Sequence, residues 1–437
     1  IFFNFTVKRK CPLLRKRKKR VKKKEYYNEY VVLHKLQSCN FVLRVKFNEK
    51  SIKKPTKIMH KDGIGGKFSF WENQSYFNNL DLIIIGSGIV GLSTAISFKE
   101  KHKKAKILIL EKGILPYGAS TKNAGFACFG SVSELLSDLK KNDESTVWNT
   151  VEMRIKGLEL LKKRLGVKNI DFKQYGGYEL FDKKERFDEC SDAISYFNKT
   201  ILPYTGIKNT YSIQNKKINH FDFKNVKGLI LNKKEGQIDT GKMMQHLIQL
   251  ALSKDIMILN SVDVSHIKDL KTHVELSTSI GHLKSKQVVV ATNGFANQLL
   301  NIKDVKPARA QVLITKPILN LKIKGTFHYD EGYYYFRNIG NRVLFGGGRN
   351  LDFETETSTD FVLNPKIQNH LNKLLKSIIL PNTSFEIEHR WCGIMGVGDE
   401  KKPIIKKISP NVVCAVRMGG MGVAIGSLVG KLAIEEF

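Results

Sequence analysis

The stretch Ile83–Ala95, IIIGSGIVGLSTA, sets three glycines (Gly86, Gly88 and Gly91) between an apolar run and an apolar helical pattern. Asp81–Ile85 reads as a short buried strand, and Ile89, Val90, Leu92, Ala95, Ile96 and Phe98 supply one helix face. The helix runs out in KEKHKKAK, whose lysines suit the negative end of the helix dipole. Lys106–Leu110 follows as a second strand that ends at Glu111. Strand, glycine turn, helix and strand make one complete βαβ unit, which places the chain in the α/β class.

Each glycine removes bulk where backbone must come close to something. Gly86 permits the tight turn, Gly88 lets the chain approach a pyrophosphate, and Gly91 lets the helix pack closely on the strand. The free N–H groups at the helix start, at Ile89 and Val90, then face the phosphates. Glu111, followed by Lys112, is placed to accept hydrogen bonds from both hydroxyls of an adenosine ribose, and its charge disfavours NADP. FAD and NAD share this fingerprint. The next stretch, YGASTKNAGFACFGS (Tyr117–Ser131), is dense in small residues, which the longer path of a flavin requires and an NAD site does not. FAD is therefore the expected cofactor, with Ser120, Thr121, Asn123, Ala124 and Gly125 as further contacts.

Length and charge bound the rest. At 437 residues the chain exceeds one ordinary core, so two interleaved domains are expected. No apolar run reaches the roughly 18 residues of a membrane-spanning helix, and no signal-peptide pattern opens the chain. The expected location is cytoplasmic, with peripheral contact at the inner membrane as the alternative. Six scattered cysteines without a CxxC pair fit a reducing compartment, and with no HxxxH or Cys/His cluster no metal site is expected. Of the +32 formal charge, residues 1–58 supply half, with 19 Lys/Arg against 3 acidic residues. That stretch reads as a disordered basic arm able to touch RNA or membrane, or as upstream sequence translated ahead of Met59. Nucleic acid is otherwise not an expected partner.

GASTKNAGF after ILILEKG, with the C-terminal RWCGIMGVGDEKKPII and VRMGGMGVAIGSLVGKLA, resembles the FAD-dependent oxidoreductases grouped with D-amino-acid oxidase, glycine oxidase and sarcosine oxidase. The resemblance runs from about Trp71 to Phe437. It implies a discontinuous Rossmann-like FAD-binding domain with an interleaved α+β, mixed-sheet substrate domain. It also implies oxidation of CH–NH or CH–NH2 groups of an amine or amino acid by hydride transfer to flavin N5. The expected FAD domain takes 79–170, 228–305 and 386–437, after a lead-in at 59–78; the substrate domain takes 171–227 and 306–385, its sheet beginning with GGYELF at 176. Val264 matches the family valine whose backbone holds the adenine. Ala291, Thr292, Asn293 and Gly294 match a second strand-to-loop contact, lengthened here by the asparagine.

VVCAVRM reads as a strand, GGMG as a turn and VAIGSLVGKLAIEEF as a helix beginning at Val423. In the family this helix start points at the flavin pyrimidine, where a fixed positive end stabilises the charge of reduction. Gly420, Met421 and Gly422 are therefore candidate catalytic elements, the alternative being a turn needed only for packing. Lys122 stands where relatives often carry arginine, and a cation there could stabilise reduced flavin or assist oxygen.

On the substrate side, GYYYFRNIGNRVLFGGG (Gly332–Gly348) reads as a hairpin turning at Ile339 and Gly340. Alternation puts Tyr333, Tyr335 and Arg337 on one face, so Arg337 and Tyr335 are candidates to hold a carboxylate. An arginine paired on the sheet face is the alternative, and Arg309 with Gln311 are further candidates for the pocket floor. No second strand-GxGxxG-helix unit marks an NAD(P)H site, since GGGRN at 346 lies in the hairpin. Electrons are therefore expected from a small organic substrate and to pass to oxygen or a quinone. A flavoprotein of other chemistry, such as RNA modification, and a non-catalytic dinucleotide binder remain the rival readings.

Overall fold

In the computed structural model, which describes residues 30–36, 39–45 and 67–437, the strand Leu80–Ile85 is sealed because both of its faces are covered. Leu82 and Ile84 pack with the helix Ile89–Lys101, while Ile83 and Ile85 join Leu108, Leu110, Val264 and Leu276 on the opposite face. Cover on both faces is what allows a strand of parallel sheet to be apolar at successive positions rather than alternating.

This strand pairs in parallel with Ile107–Leu110 and with Gly281–Val290 inside an eight-stranded sheet. Met257–Leu259 extends the parallel core beyond Ile107–Leu110. The long strand Gly281–Val290 forks: its first half pairs with Val274–Thr278, and its second half pairs in parallel with Val412–Val416. Three helices, Ile89–Lys101, Glu144–Leu165 and Gly422–Leu432, pack together on one face.

The second sheet, also of eight strands, runs in the order Ile387–Val397, Lys306–Thr315, Arg342–Gly347, Tyr334–Ile339, Thr326–Tyr329, Gly177–Phe181, Gly228–Asn232 and Tyr211–Ile213. It is mixed, because Thr326–Tyr329 pairs in parallel with Gly177–Phe181 and the other neighbours are antiparallel. Stacked Phe327 and Phe336, with ring centroids 4.6 Å apart, anchor its core.

Three sequence expectations shift. Gly228–Asn232 and Ile387–Val397 belong to the second sheet and not to the nucleotide-binding pieces, since each finds its hydrogen-bonding neighbour there. The hairpin turns at Gly340 and Asn341, one residue later than expected, because Ile339 still pairs with Arg342 and Gly340 takes the positive φ of +53°. Within the stretch expected to be an unstructured basic arm, Tyr30–Leu36 and Cys39–Val45 pair antiparallel; the remaining residues of 1–58 lie outside the described ones. Among the described residues no helix is long and apolar enough to cross a membrane.

The parallel core depends on contact at Gly91, where an added Cβ would stand 1.9 Å from the Gly86 carbonyl oxygen and 3.2 Å from Ile84 Cγ2. Backbone cannot yield there as a flexible side chain can. Gly91→Ala is expected to destabilise the fold by about 1–3 kcal/mol or more, read as a fall in the urea midpoint at unchanged slope.

Candidate functional site

The carboxyl ends of the parallel strands Leu80–Ile85, Ile107–Leu110 and Gly281–Val290 open onto one cleft of about 810 Å³. Crevices of this kind in α/β sheets form where strand ends part. The opposite wall comes from the second sheet, through Val312, Tyr335, Gly347 and Met395. The cleft thus lies between the two sheets.

At the first strand's end Gly86 adopts φ +103°, and the helix Ile89–Lys101 begins with no side-chain cap on its N-cap residue Gly88. Its early N–H groups therefore lack intrahelical partners, and that of Ile89 donates instead to Ser120 Oγ of the neighbouring loop at 3.0 Å. Glu111 lines the cleft with its carboxylate fixed: Oε2 accepts from Ser87 N and Oγ, and Oε1 accepts from Gly113 N. Oε2 is thereby saturated, while Oε1 keeps a second lone pair for a ligand hydroxyl. Lys112 lines the cleft with its ammonium on Asp263, and Val264 lines it beside Asp263. Ser120, Asn123 and Ala124 also line it, whereas Thr121 and Gly125 do not. Thr121 Oγ1 donates to Pro116 O, and the Gly125 carbonyl accepts from Arg337.

Ala291, Thr292 and Asn293 reach the cleft, and Gly294 lies behind them under the Met395 carbonyl. The inserted asparagine has a definite job. Asn293, at φ +46°, accepts the N–H groups of Arg417 and Met418 on Oδ1, at 3.1 and 3.2 Å, and so ties this loop to the turn before the last long helix. That turn carries Gly419 and Gly420 at positive φ, and the helix Gly422–Leu432 starts at Met421 with no side-chain cap. Gly420, Met421, Gly422 and Val423 all line the cleft. An uncapped helix start, a glycine neck and a fixed carboxylate are the features that hold a diphosphate, an isoalloxazine and a ribose, so these residues fit FAD.

Three substrate candidates fall elsewhere. Arg337 lies buried beneath the cleft wall and donates from Nη1 to the carbonyls of Gly125 and Ile238, at 2.9 and 2.7 Å, while burial pushes its pKa down to about 10. Arg309 is buried against Glu356, Nη2 to Oε1 at 2.9 Å, and Gln311 donates to the same carboxylate and to Val362 O. Alternation had put Arg337 on the correct face, but the loop 123–126 covers it there.

Tyr335 does line the cleft, with Tyr333 two residues before it, and burial raises its phenol to about 12. The cation that joins them is Arg349, from the GGGRN stretch. It lines the cleft over the Phe353 ring at 4.8 Å, and among the described residues its guanidinium makes no hydrogen bond or ion pair. Sequence reading used GGGRN only to exclude a second nucleotide site and so passed over it. Lys122 lines the cleft with its ammonium 4.2 Å from the Tyr117 ring centroid. On another stretch of wall, burial would raise the Glu134 pKa, but Lys401 and Arg154 outweigh it and hold the carboxyl at about 2.

A sequence profile described as FAD-dependent oxidoreductase matches residues 81–436. The probable oxidoreductase OrdL of Haemophilus influenzae is 21% identical over 374 residues, covering 81% of this chain and 82% of that protein. Glycine oxidase of Geobacillus kaustophilus is 24% identical over 281 residues, covering 61% of this chain and 69% of the relative. Among solved structures, L-proline dehydrogenase from P. horikoshii superposes with a TM-score of 0.67 at 20% identity, covering 82% of this chain and 92% of that one. This structural likeness establishes the fold.

Asn293→Gly keeps the positive φ but leaves two N–H groups without their acceptor. It should lower stability by about 1–3 kcal/mol and weaken FAD retention, measured by urea unfolding and by flavin release on dilution. The Glu134 contribution has a fixed pH window, because the folded pKa of about 2 lies below the usual 4.5. Its stabilisation is complete above 4.5 and lost as pH falls towards 2, so the stability gap between wild type and Glu134→Gln should narrow across that window.

Proposed function

Because the chain belongs to the FAD-dependent oxidoreductase family, we propose that it oxidises the C–N bond of a small amine that carries a carboxylate, an amino acid in the simplest case. When bound, FAD supplies a hydride-accepting, two-electron centre. The glycine neck at 86–91, Glu111 and the loop 120–124 hold that cofactor in this reading, and the chain's own groups do the remaining work.

The observation that carries the substrate class is Arg349, a cleft-lining guanidinium without a partner among the described residues. Burial lowers its pKa from the usual range, so its charge is costly there until an anion meets it. A planar fork of donors matches a carboxylate bidentately, and the Tyr333 and Tyr335 side chains line the same cleft for further contact. Held at that end, the substrate's amine-bearing carbon is oriented by one fixed anchor, which removes rotational freedom before reaction. The N–H groups of Gly422 and Val423, free at an uncapped helix start, stabilise negative charge that develops during the two-electron step. Lys122 is positioned on the same cleft as a further cation, suited to assist oxygen or a quinone as the final acceptor.

Anaerobic titration with a panel of amines tests this. Amino acids and N-substituted amino acids should bleach the flavin, and amines lacking a carboxylate should not. Arg349→Met should raise the dissociation constant of the reactive substrate about 10- to 100-fold, the value of one charged hydrogen-bonded contact. Equal bleaching by amines with and without a carboxylate overturns the assignment.

A further inference from the structure

Cys128, Glu235 and His328 lie far apart in sequence, yet one ligand atom from each falls within 4.8 Å of the other two. All three side chains are buried, and Cys128 and His328 line the cleft wall, which gives the cluster an entry path. The fold brings them together through the loop after Phe126–Ala127, the segment before Gly236–Gln237 and the strand Thr326–Tyr329.

Hydrogen bonding leaves part of the cluster unsatisfied. His328 Nε2 is buried with no hydrogen-bond partner. It faces Glu235 Oε2 at 3.6 Å, beyond the usual N–H···O range. The other carboxylate oxygen, Oε1, accepts from Phe129 N and Gly130 N at 2.9 and 3.2 Å, which locks the orientation of Glu235 towards the imidazole. Cys128 Sγ donates a weak hydrogen bond to Met421 Sδ at 3.6 Å. Glu134 nearby is already engaged by Lys401 and Arg154 and is not a competing ligand.

The 3.6 Å between His328 Nε2 and Glu235 Oε2 equals a coordination edge, and the Cys128 sulfur lies within 4.8 Å of a ligand atom of each. Zinc bonds of about 2.0–2.2 Å to nitrogen and oxygen and about 2.3 Å to sulfur give tetrahedral edges of roughly 3.4–3.6 Å. We propose that Cys128, Glu235 and His328 form a binding site for a thiophilic divalent cation of the zinc class, with the fourth position open towards the cleft beside Met421. Thiolate, carboxylate and neutral imidazole around a dication sum to zero charge, which suits a buried site. The site stands on its own geometry and does not rest on the identity of the amine substrate.

The test uses the FAD-loaded full chain, stripped with EDTA and titrated with zinc sulfate against a chromophoric chelator. One zinc per chain is expected. Zinc K-edge absorption should report a single sulfur among nitrogen and oxygen neighbours. Cys128→Ser and His328→Asn, each checked for FAD content, should weaken binding more than about 100-fold, since even outer-shell changes cost 10- to 100-fold. If a variant fails to fold, the wild-type stoichiometry and absorption edge still decide. Substoichiometric binding, a first shell without sulfur, or affinity untouched in a folded variant overturns the proposal.

Discussion

The approach of one helix to one strand end governs this molecule. With no side chain at Gly91, the helix Ile89–Lys101 rests directly on the Gly86 carbonyl, and its uncapped start is thereby aimed across the ends of the parallel strands. The helix Gly422–Leu432 repeats the device one layer out, where a Cβ on Gly430 would meet the Val90 carbonyl oxygen at 2.6 Å. Backbone against backbone leaves little room for adjustment, so the positions of both helix starts at the cleft are set by packing rather than by loops. A site built on such contacts is preorganised before any ligand arrives.

The second wall is fixed differently, by buried charge. Arg337 joins the second sheet to the carbonyls of Gly125 and Ile238, and Arg309 with Glu356 ties the segment 355–364 to the strand Lys306–Thr315. Removing one partner of such a pair strands the other, at a cost of about 3–5 kcal/mol, whereas an exposed pair is worth under about 1 kcal/mol. That disparity explains why the arginines nearest the cleft in sequence pattern are structural. An arginine able to meet a substrate is one left unpaired, and among the described residues Arg349 meets that condition.

The legible part of the chain was the local part. The βαβ unit, the placement of Glu111, the helix starting near Val423 and the alternation of Tyr333 to Arg337 each depend on residues within one or two turns or strands of one another. Pattern fails where partners come from afar. Nothing near Arg337 in sequence signals that Gly125 and Ile238 will cover it, and nothing near Gly228 signals that its strand pairs with Gly177–Phe181. Cys128, Glu235 and His328 carry no spacing motif at all, because three separate elements deliver them. Asn293 is an intermediate case: its insertion was visible, but its use as acceptor for Arg417 and Met418 is a tertiary fact.

Two helix N-termini face one cleft, and this couples the fold to what it binds. The starts at Ile89 and Gly422 both line the cleft, each with the partial positive charge of unsatisfied N–H groups. Like ends directed into a shared low-dielectric space repel, and the packing of the two helices against each other holds that repulsion in place. An anionic ligand reverses the sign of both terms. Negative charge placed at either helix start would convert an unfavourable field into a favourable one, so an anionic ligand that suits this cleft would also stabilise the packing that forms it.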